Sequence, residues 1–215
     1  VIKACIFDLD GVIVDTAHYH FLAWQRLAGE IGINLTEKEN ERLKGVSRMD
    51  SLDIILRLGK VTMSAREKQA LADKKNSWFL DFLSRMQPEE IFPGVKKLMA
   101  DLKSVGIKVG LASSSKNARA VLKLLKIENL FDCFVDGTMI SKSKPDPEIF
   151  LLAASKLSIN PQECLVFEDA EAGVEAAIAA GMKCIGVGSQ DQLSKADRVI
   201  QKTGDFKVDE LVELA

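Results

Sequence analysis

The chain has 215 residues, 47% of them hydrophobic, with 29 basic against 31 acidic side chains and a formal net charge of -2. That balance excludes the broad positive field of a nucleic-acid or anionic-membrane binder, so any anion must be gripped by a local site. The length suits one large domain or a core with a smaller insertion, able to bury about 70% of the unfolded surface without disulfide or metal.

Ile2 to Leu9 (IKACIFDL) is almost continuously apolar, the pattern of a strand buried on both faces of a parallel sheet. Similar runs follow at Lys108–Ala112 (KVGLA), Cys164–Phe167 (CLVF) and Lys183–Val187 (KCIGV). Helical spacing separates them. Val95, Leu98, Met99 and Leu102 keep a 3.6 period after Pro93-Gly94, and Val121, Leu122, Leu124 and Leu125 repeat it. Ile149, Phe150, Ala153, Ala154 and Leu157 follow, behind Asp146 as N-cap and Pro147 at the first helical position. The run Ala170 to Ala180 should end at Gly181. Strands alternating with helices predict a parallel α/β sheet.

Residues 15–88 break that alternation. His20, Trp24, Leu27, Ala28 and Ile31 share a helix face, and Thr36 with Glu39 and Ser64 with Glu67 form two candidate capping boxes. The expected architecture is therefore a core of residues 1–14 and 89–215 interrupted after its first strand by a helical insertion, 15–88. Cys5, Cys133, Cys164 and Cys184 form no C-x-x-C pair, and three lie in apolar strand-like runs, which favours free thiols in a reducing cytoplasm. No apolar stretch approaches the roughly 18 residues of a membrane span, and no signal peptide is read before the first strand. A soluble monomer with no membrane or nucleic-acid partner is expected.

Four polar motifs stand at predicted strand ends or loops. Asp8 and Asp10, two apart in an extended segment, point the same way from the carboxyl end of the first strand, where open α/β sheets bind ligands. Their mutual repulsion calls for a cation or a shared proton. Ser113-Ser114-Ser115-Lys116-Asn117 runs from a strand into a helix start, a ready anion site. Lys144, held before Pro145, offers a fixed positive charge, and Glu168-Asp169 ends the CLVF strand with a second acidic pair. Singly, each fits an ordinary strand end, turn or N-cap. Jointly they supply hard oxygen ligands for magnesium, donors for phosphate oxygens and a carboxylate able to attack phosphorus.

This ordered set resembles the haloacid dehalogenase superfamily of phosphotransferases over the whole chain. Within it, Asp15-Thr16, Tyr19-His20, Lys44 to Arg48, Lys75-Asn76 and the 112–117 loop resemble the β-phosphoglucomutase branch. The resemblance implies a Rossmannoid α/β core with an all-helical cap. It implies Asp8 as nucleophile, Asp10 as general acid and base, and Mg2+ held by Asp8, the Asp10 main-chain carbonyl, Glu168 and Asp169. Ser113, the Ser114 amide and Lys144 would hold the transferring phosphate, and Arg48, Ser115, Lys116 and Asn117 a second one. Thr16, His20, Lys44 and Lys75 would line the hinge and the sugar. The implied reaction interconverts β-glucose 1-phosphate and glucose 6-phosphate through a 1,6-bisphosphate. The alternative is a sugar-phosphate phosphatase on the same fold.

Two positions depart from that pattern: Ser114 stands where alanine is common, and Ala170 where serine is common, which removes a hydroxyl beside the acidic pair. A non-catalytic phosphate-binding module would need no general acid such as Asp10, and a dehalogenase has no use for a magnesium acid pair. His18 and His20 lie off a shared helix face, so a zinc pair is not expected. Phe21 and Trp24 are assigned to the cap core and not to a sugar platform. Gly186-Val187-Gly188 lacks the third glycine of a dinucleotide site, and no P-loop is present.

Overall fold

The computed structural model describes residues 1–43 and 46–214. Six parallel strands form one sheet in the order β3-β2-β1-β4-β5-β6. They are β1 (Ala4–Phe7), β2 (Lys108–Ala112), β3 (Cys133–Val135), β4 (Cys164–Glu168), β5 (Lys183–Val187) and β6 (Arg198–Ile200). All four residues of β1 are buried, because both faces of the sheet are covered. Alternate residues serve opposite faces. Cys5, Phe7, Leu111 and Phe167 pack on one side with α5 (Val95–Ser104) and α6 (Ala118–Leu125). Ala4, Ile6, Ala112 and Val166 pack on the other with α7 (Glu148–Leu157) and α8 (Glu171–Ala179). Phe7 and Phe167, neighbours on β1 and β4, stack with centroids 4.5 Å apart.

Between β1 and α5 the described residues form helices and short turns: α1 (Ala17–Glu30), α2 (Glu37–Asn40), α3 (Arg48–Leu58) and α4 (Ala65–Leu83). Both expected capping boxes are present, Thr36 with Glu39 and Ser64 with Glu67. Trp24, Leu27, Leu52, Ile55, Leu56 and Ala72 form a separate apolar cluster that gives these helices a core of their own. Val14 bridges β1's exit loop to Ile91, so the chain leaves and re-enters the sheet region side by side. No helix among the described residues is long and apolar enough to cross a membrane. All four cysteines are free, and burial pushes the Cys133 thiol up to about 11 and the Cys164 thiol up to about 12.

The sequence reading needs three corrections. The first strand is four residues long, since its ends pass into loops at Lys3 and Asp8. β3 and β6 were not anticipated. The helix α7 begins at Glu148, with Pro147 at the N-cap position, yet Asp146 Oδ1 still accepts the Glu148 N–H at 3.0 Å, so the capping chemistry survives a one-residue shift. The end of α8 is as expected, with Gly181 left-handed at φ 72°.

Candidate active site

From β1 the sheet grows one way through β2 and β3, then the other way through β4 to β6. The carboxyl ends of β1 and β4 therefore flank the switch point where such sheets open a crevice. Asp8 leaves β1 there while its N–H still donates to Phe167 O of β4 at 3.0 Å. Its side chain is equally fixed. Oδ1 accepts from Lys144 Nζ at 2.5 Å, and Oδ2 accepts the Asp10 N–H at 2.9 Å. The turn that follows needs Gly11 at φ 75°. A Cβ on Gly11 would lie 2.0 Å from Asp169 Oδ2, so the second acidic motif rests directly against the first. Gly11→Ala is expected to cost about 1–2 kcal/mol from its left-handed backbone alone. Urea denaturation beside wild type measures that loss, and the variant should also displace Asp169.

Lys144 is 2% exposed, and so is held almost entirely away from water. Burial alone would lower its pKa. The charges of Asp8 and Glu168, with their hydrogen bonds, outweigh burial and keep the ammonium charged. A further bond runs from Nζ to Ala112 O at 3.4 Å. Glu168 is fully buried; it pairs with Lys144, and its Oε2 accepts the Ala170 N–H at 2.9 Å. Both of its carboxylate oxygens are thereby engaged, and it serves as a buried counter-ion to Lys144.

The loop after β2 brings polar groups to the same crevice. Ser113, 1% exposed, donates its N–H to Val135 O at 3.0 Å. Its Oγ accepts the Ser115 N–H at 3.2 Å, and Ser115 Oγ accepts the Asn117 N–H at 3.2 Å. These successive hydroxyl-to-amide turns curl the backbone just before α6.

The opposite wall comes from the helical segment. Ser47 caps α3 by accepting the Asp50 N–H, so Arg48 opens the helix's first turn, half-buried. Lys75 of α4 is 1% exposed, and its Nζ lies 2.6 Å from His20 Nδ1 and 4.6 Å from the Trp24 ring centroid. Burial first, and then the Arg48 charge, lower Lys75 to about 7, with Asp10 pulling the other way. Burial, then Lys75 and Arg48, hold His20 well below the usual imidazole range. Lys75 Nζ and His20 Nδ1 thus share a hydrogen bond whose donor is set by the tautomer of a neutral imidazole.

These walls enclose a cavity of about 250 Å³. It is lined by Asp8, Asp10, Asp169 and Ser113 to Asn117 from the core, and by His20, Arg48 and Lys75 from the helices. Lys144 and Glu168 sit behind Asp8, and Thr16 is buried at the base of α1 without lining the cavity. Lys44 lies outside the described residues. Several lining residues were not anticipated, among them Asn40, Gln69, Gly137 and Lys142. Trp24, assigned to the cap core, belongs to that core and also lines the cavity.

Among the described residues the buried side-chain polar atoms without a hydrogen-bond partner are Asp10 Oδ1, in this cavity, and Thr16 Oγ1, just before α1. Such atoms mark a place where a ligand or a movement completes the bonding. Burial, then the Asp8 charge, push the Asp10 carboxyl up to about 8 against the pull of Lys144 and Lys75. At neutral pH the Asp10 carboxyl is therefore held mostly protonated, the state a proton-donating group needs. No group of three His, Cys, Asp or Glu side chains among the described residues could hold a metal ion by itself. Asp8 and Asp169 both line the cavity, and their hard carboxylate oxygens are of the type magnesium takes beside waters and substrate phosphate oxygens.

Comparison with known proteins agrees with this geometry. Residues 2–181 match the family model described as haloacid dehalogenase-like hydrolase. The chain is 46% identical to the β-phosphoglucomutase of Bacillus subtilis, covering 98% of this chain and 94% of that protein. It is 36% identical to a phosphorylated carbohydrates phosphatase of Thermotoga maritima, covering 85% and 83%. A crystal structure of β-phosphoglucomutase from Clostridium difficile superposes with a TM-score of 0.96 at 45% identity, covering 99% and 96% of the two chains. The acid-ended strands, the buried lysine and the serine loop thus stand in a fold held in common with these enzymes, and the chain belongs to the haloacid dehalogenase-like hydrolase family.

Proposed function

We propose that this chain is a phosphomutase that interconverts β-D-glucose 1-phosphate and glucose 6-phosphate through a phosphoaspartate and a bound glucose 1,6-bisphosphate. The observation that carries the reading is one cavity lined by Asp8 with the serine loop and also by Arg48, together with near full-length likeness to β-phosphoglucomutases. In this reading residues 1–14 and 89–215 are the catalytic core and 15–88 the cap.

Asp8 attacks phosphorus, its carboxylate aimed by Lys144 and the Asp10 N–H. Lys144, Ser113 and the Ser114 amide neutralise and orient the phosphoryl oxygens. Asp10 gives its proton to the departing sugar oxygen and later takes one from the attacking hydroxyl. Asp8, Glu168, Asp169 and the Asp10 carbonyl would hold Mg2+, which supplies charge neutralisation on the transferring phosphoryl group when bound. Arg48, Ser115, Lys116 and Asn117 grip the phosphate that is not reacting, while His20, Lys75 and Thr16 border the sugar and hinge. The cap keeps water from the phosphoaspartate.

Incubation with β-glucose 1-phosphate, magnesium and a trace of the bisphosphate tests the reading. Glucose 6-phosphate is the expected product, and release of phosphate alone would replace the mutase with a phosphatase. Arg48 sharpens the distinction. Its planar fork suits two phosphate oxygens at once, and burial already presses its pKa down, which favours an anionic partner. Arg48→Ala is expected to lose roughly 1.5–3 kcal/mol of charge-assisted bonding, a fall of about 10- to 150-fold in mutase flux. Phosphate release should fall little or rise, since loss of the arginine loosens the cap. Equal rates of both processes in variant and wild type would reduce Arg48 to a solvated side chain.

A further inference from the structure

Asn117 stands at the N-cap position of α6, but its side chain makes no capping hydrogen bond. An asparagine there usually contributes about 1 kcal/mol by capping. Its carboxamide instead reaches across the cleft, where Nδ2 donates to Asn76 Oδ1 at 2.7 Å. Asn76 is on α4, the residue after Lys75, so the helix register that sends Lys75 into the cavity also sets Asn76 against the serine loop. From Asn76 the bonding continues through Asn117 to Ser115 and on to Ser113. A side chain on the helical wall is thereby tied to the loop that lines the cavity with Asp8.

A carboxamide has two N–H donors and one acceptor oxygen. Donation to Asn76 uses one N–H and fixes which way the amide faces in the cavity wall, leaving the second N–H to donate elsewhere. The acceptor Asn76 Oδ1 is present only while α4 is docked. We infer that Asn76 is a positioning residue that couples docking of the cap to the orientation of Asn117 at the second phosphate of the sugar bisphosphate. The inference rests on the mutase reading for the identity of that phosphate. By thermodynamic reciprocity, a phosphate held by Asn117 also holds α4 down. Cap closure then depends on a substrate that carries its second phosphate.

A double-mutant cycle tests this with glucose 1,6-bisphosphate as the varied ligand and Mg2+ present. Asn76→Ala should raise the KM for bisphosphate about 3- to 10-fold, the loss of one neutral hydrogen bond, and raise it more than it lowers kcat. The fraction of turnovers ending in free phosphate should increase. On an Asn117→Ala background the same substitution should change KM little, because the bond is already gone. Equal effects of Asn76→Ala in both backgrounds, or an unchanged KM in the first, overturn the inference. Thermal unfolding of each variant separates a folding defect, which would reduce active enzyme without shifting KM. A wild type that only releases phosphate sinks the mutase reading instead, and the cycle is then scored on the KM of hydrolysis.

Discussion

Asp8→Asn is expected to abolish turnover and covalent phosphate uptake. An amide oxygen is a poor nucleophile toward phosphorus and cannot form the acyl phosphate. The substitution is nearly isosteric, and the surroundings are suited to accept it. Asn Oδ1 still meets Lys144 Nζ, whose remaining partners are Glu168 and Ala112 O. The fold should therefore persist, which makes loss of activity interpretable. A second consequence follows from electrostatics. The Asp8 charge ranks after burial among the causes that raise Asp10 to about 8, so its removal should lower the Asp10 pKa. Carbon-13 NMR of the Asp10 carboxyl reads that shift independently of activity. Mass spectrometry of the protein after incubation with bisphosphate reads the covalent step. Retention of a substantial fraction of activity, or a phosphate adduct at residue 8, would mean that another group attacks phosphorus.

The sheet was legible because strands buried on both faces must be apolar throughout. KVGLA, CLVF and KCIGV stand out for that reason, and each coincides with a strand of the structure to within one residue. β3 and β6 escaped because they are three-residue edge strands with a single buried residue each, Val135 and Ile200, too short for a burial pattern to develop. The acidic motifs were legible for the converse reason. A carboxylate directly after a buried run has to emerge at the strand's end, where the ligand crevice lies.

What spacing could not supply was the partner of each charged group. Glu168 and Asp169 are adjacent, yet one is drawn under the sheet by Lys144, 24 residues away, and the other lines the cavity. Lys75 follows another lysine on a polar-looking helix and would ordinarily be solvated. Its burial is decided by His20, 55 residues distant, and by the faces of Trp24 and Phe79. Gln69 and Lys142 carry no local signature at all, since a polar residue on a helix or loop becomes a cleft residue only when another element docks against it. Thr16 shows the same limit from the other side: its hydroxyl is buried without a partner, an observation available only from packing.

Asp10→Asn is expected to lower phosphoryl transfer by about 10²- to 10⁴-fold, the usual contribution of a positioned acid or base. The wild-type carboxyl is held neutral at pH 7 by burial and by Asp8, with its Oδ1 shut off from solvent and unpaired. It can therefore donate to a leaving sugar oxygen, whereas an asparagine can neither release nor accept a proton under these conditions. The sign of the pH dependence follows. Donation needs the protonated form, so the single-turnover rate of Asp8 phosphorylation should fall as pH rises through about 8. The variant's residual rate should lack that descending limb. Binding should respond differently from chemistry. The metal contact assigned to this residue is its main-chain carbonyl, and the main-chain N–H that holds Asp8 Oδ2 is equally retained. Asp10→Asn should thus bind Mg2+ and sugar phosphate with near wild-type affinity, as titration calorimetry can measure. A variant that loses magnesium would place the Asp10 carboxylate itself among the metal ligands. In that case the descending limb would belong to another group.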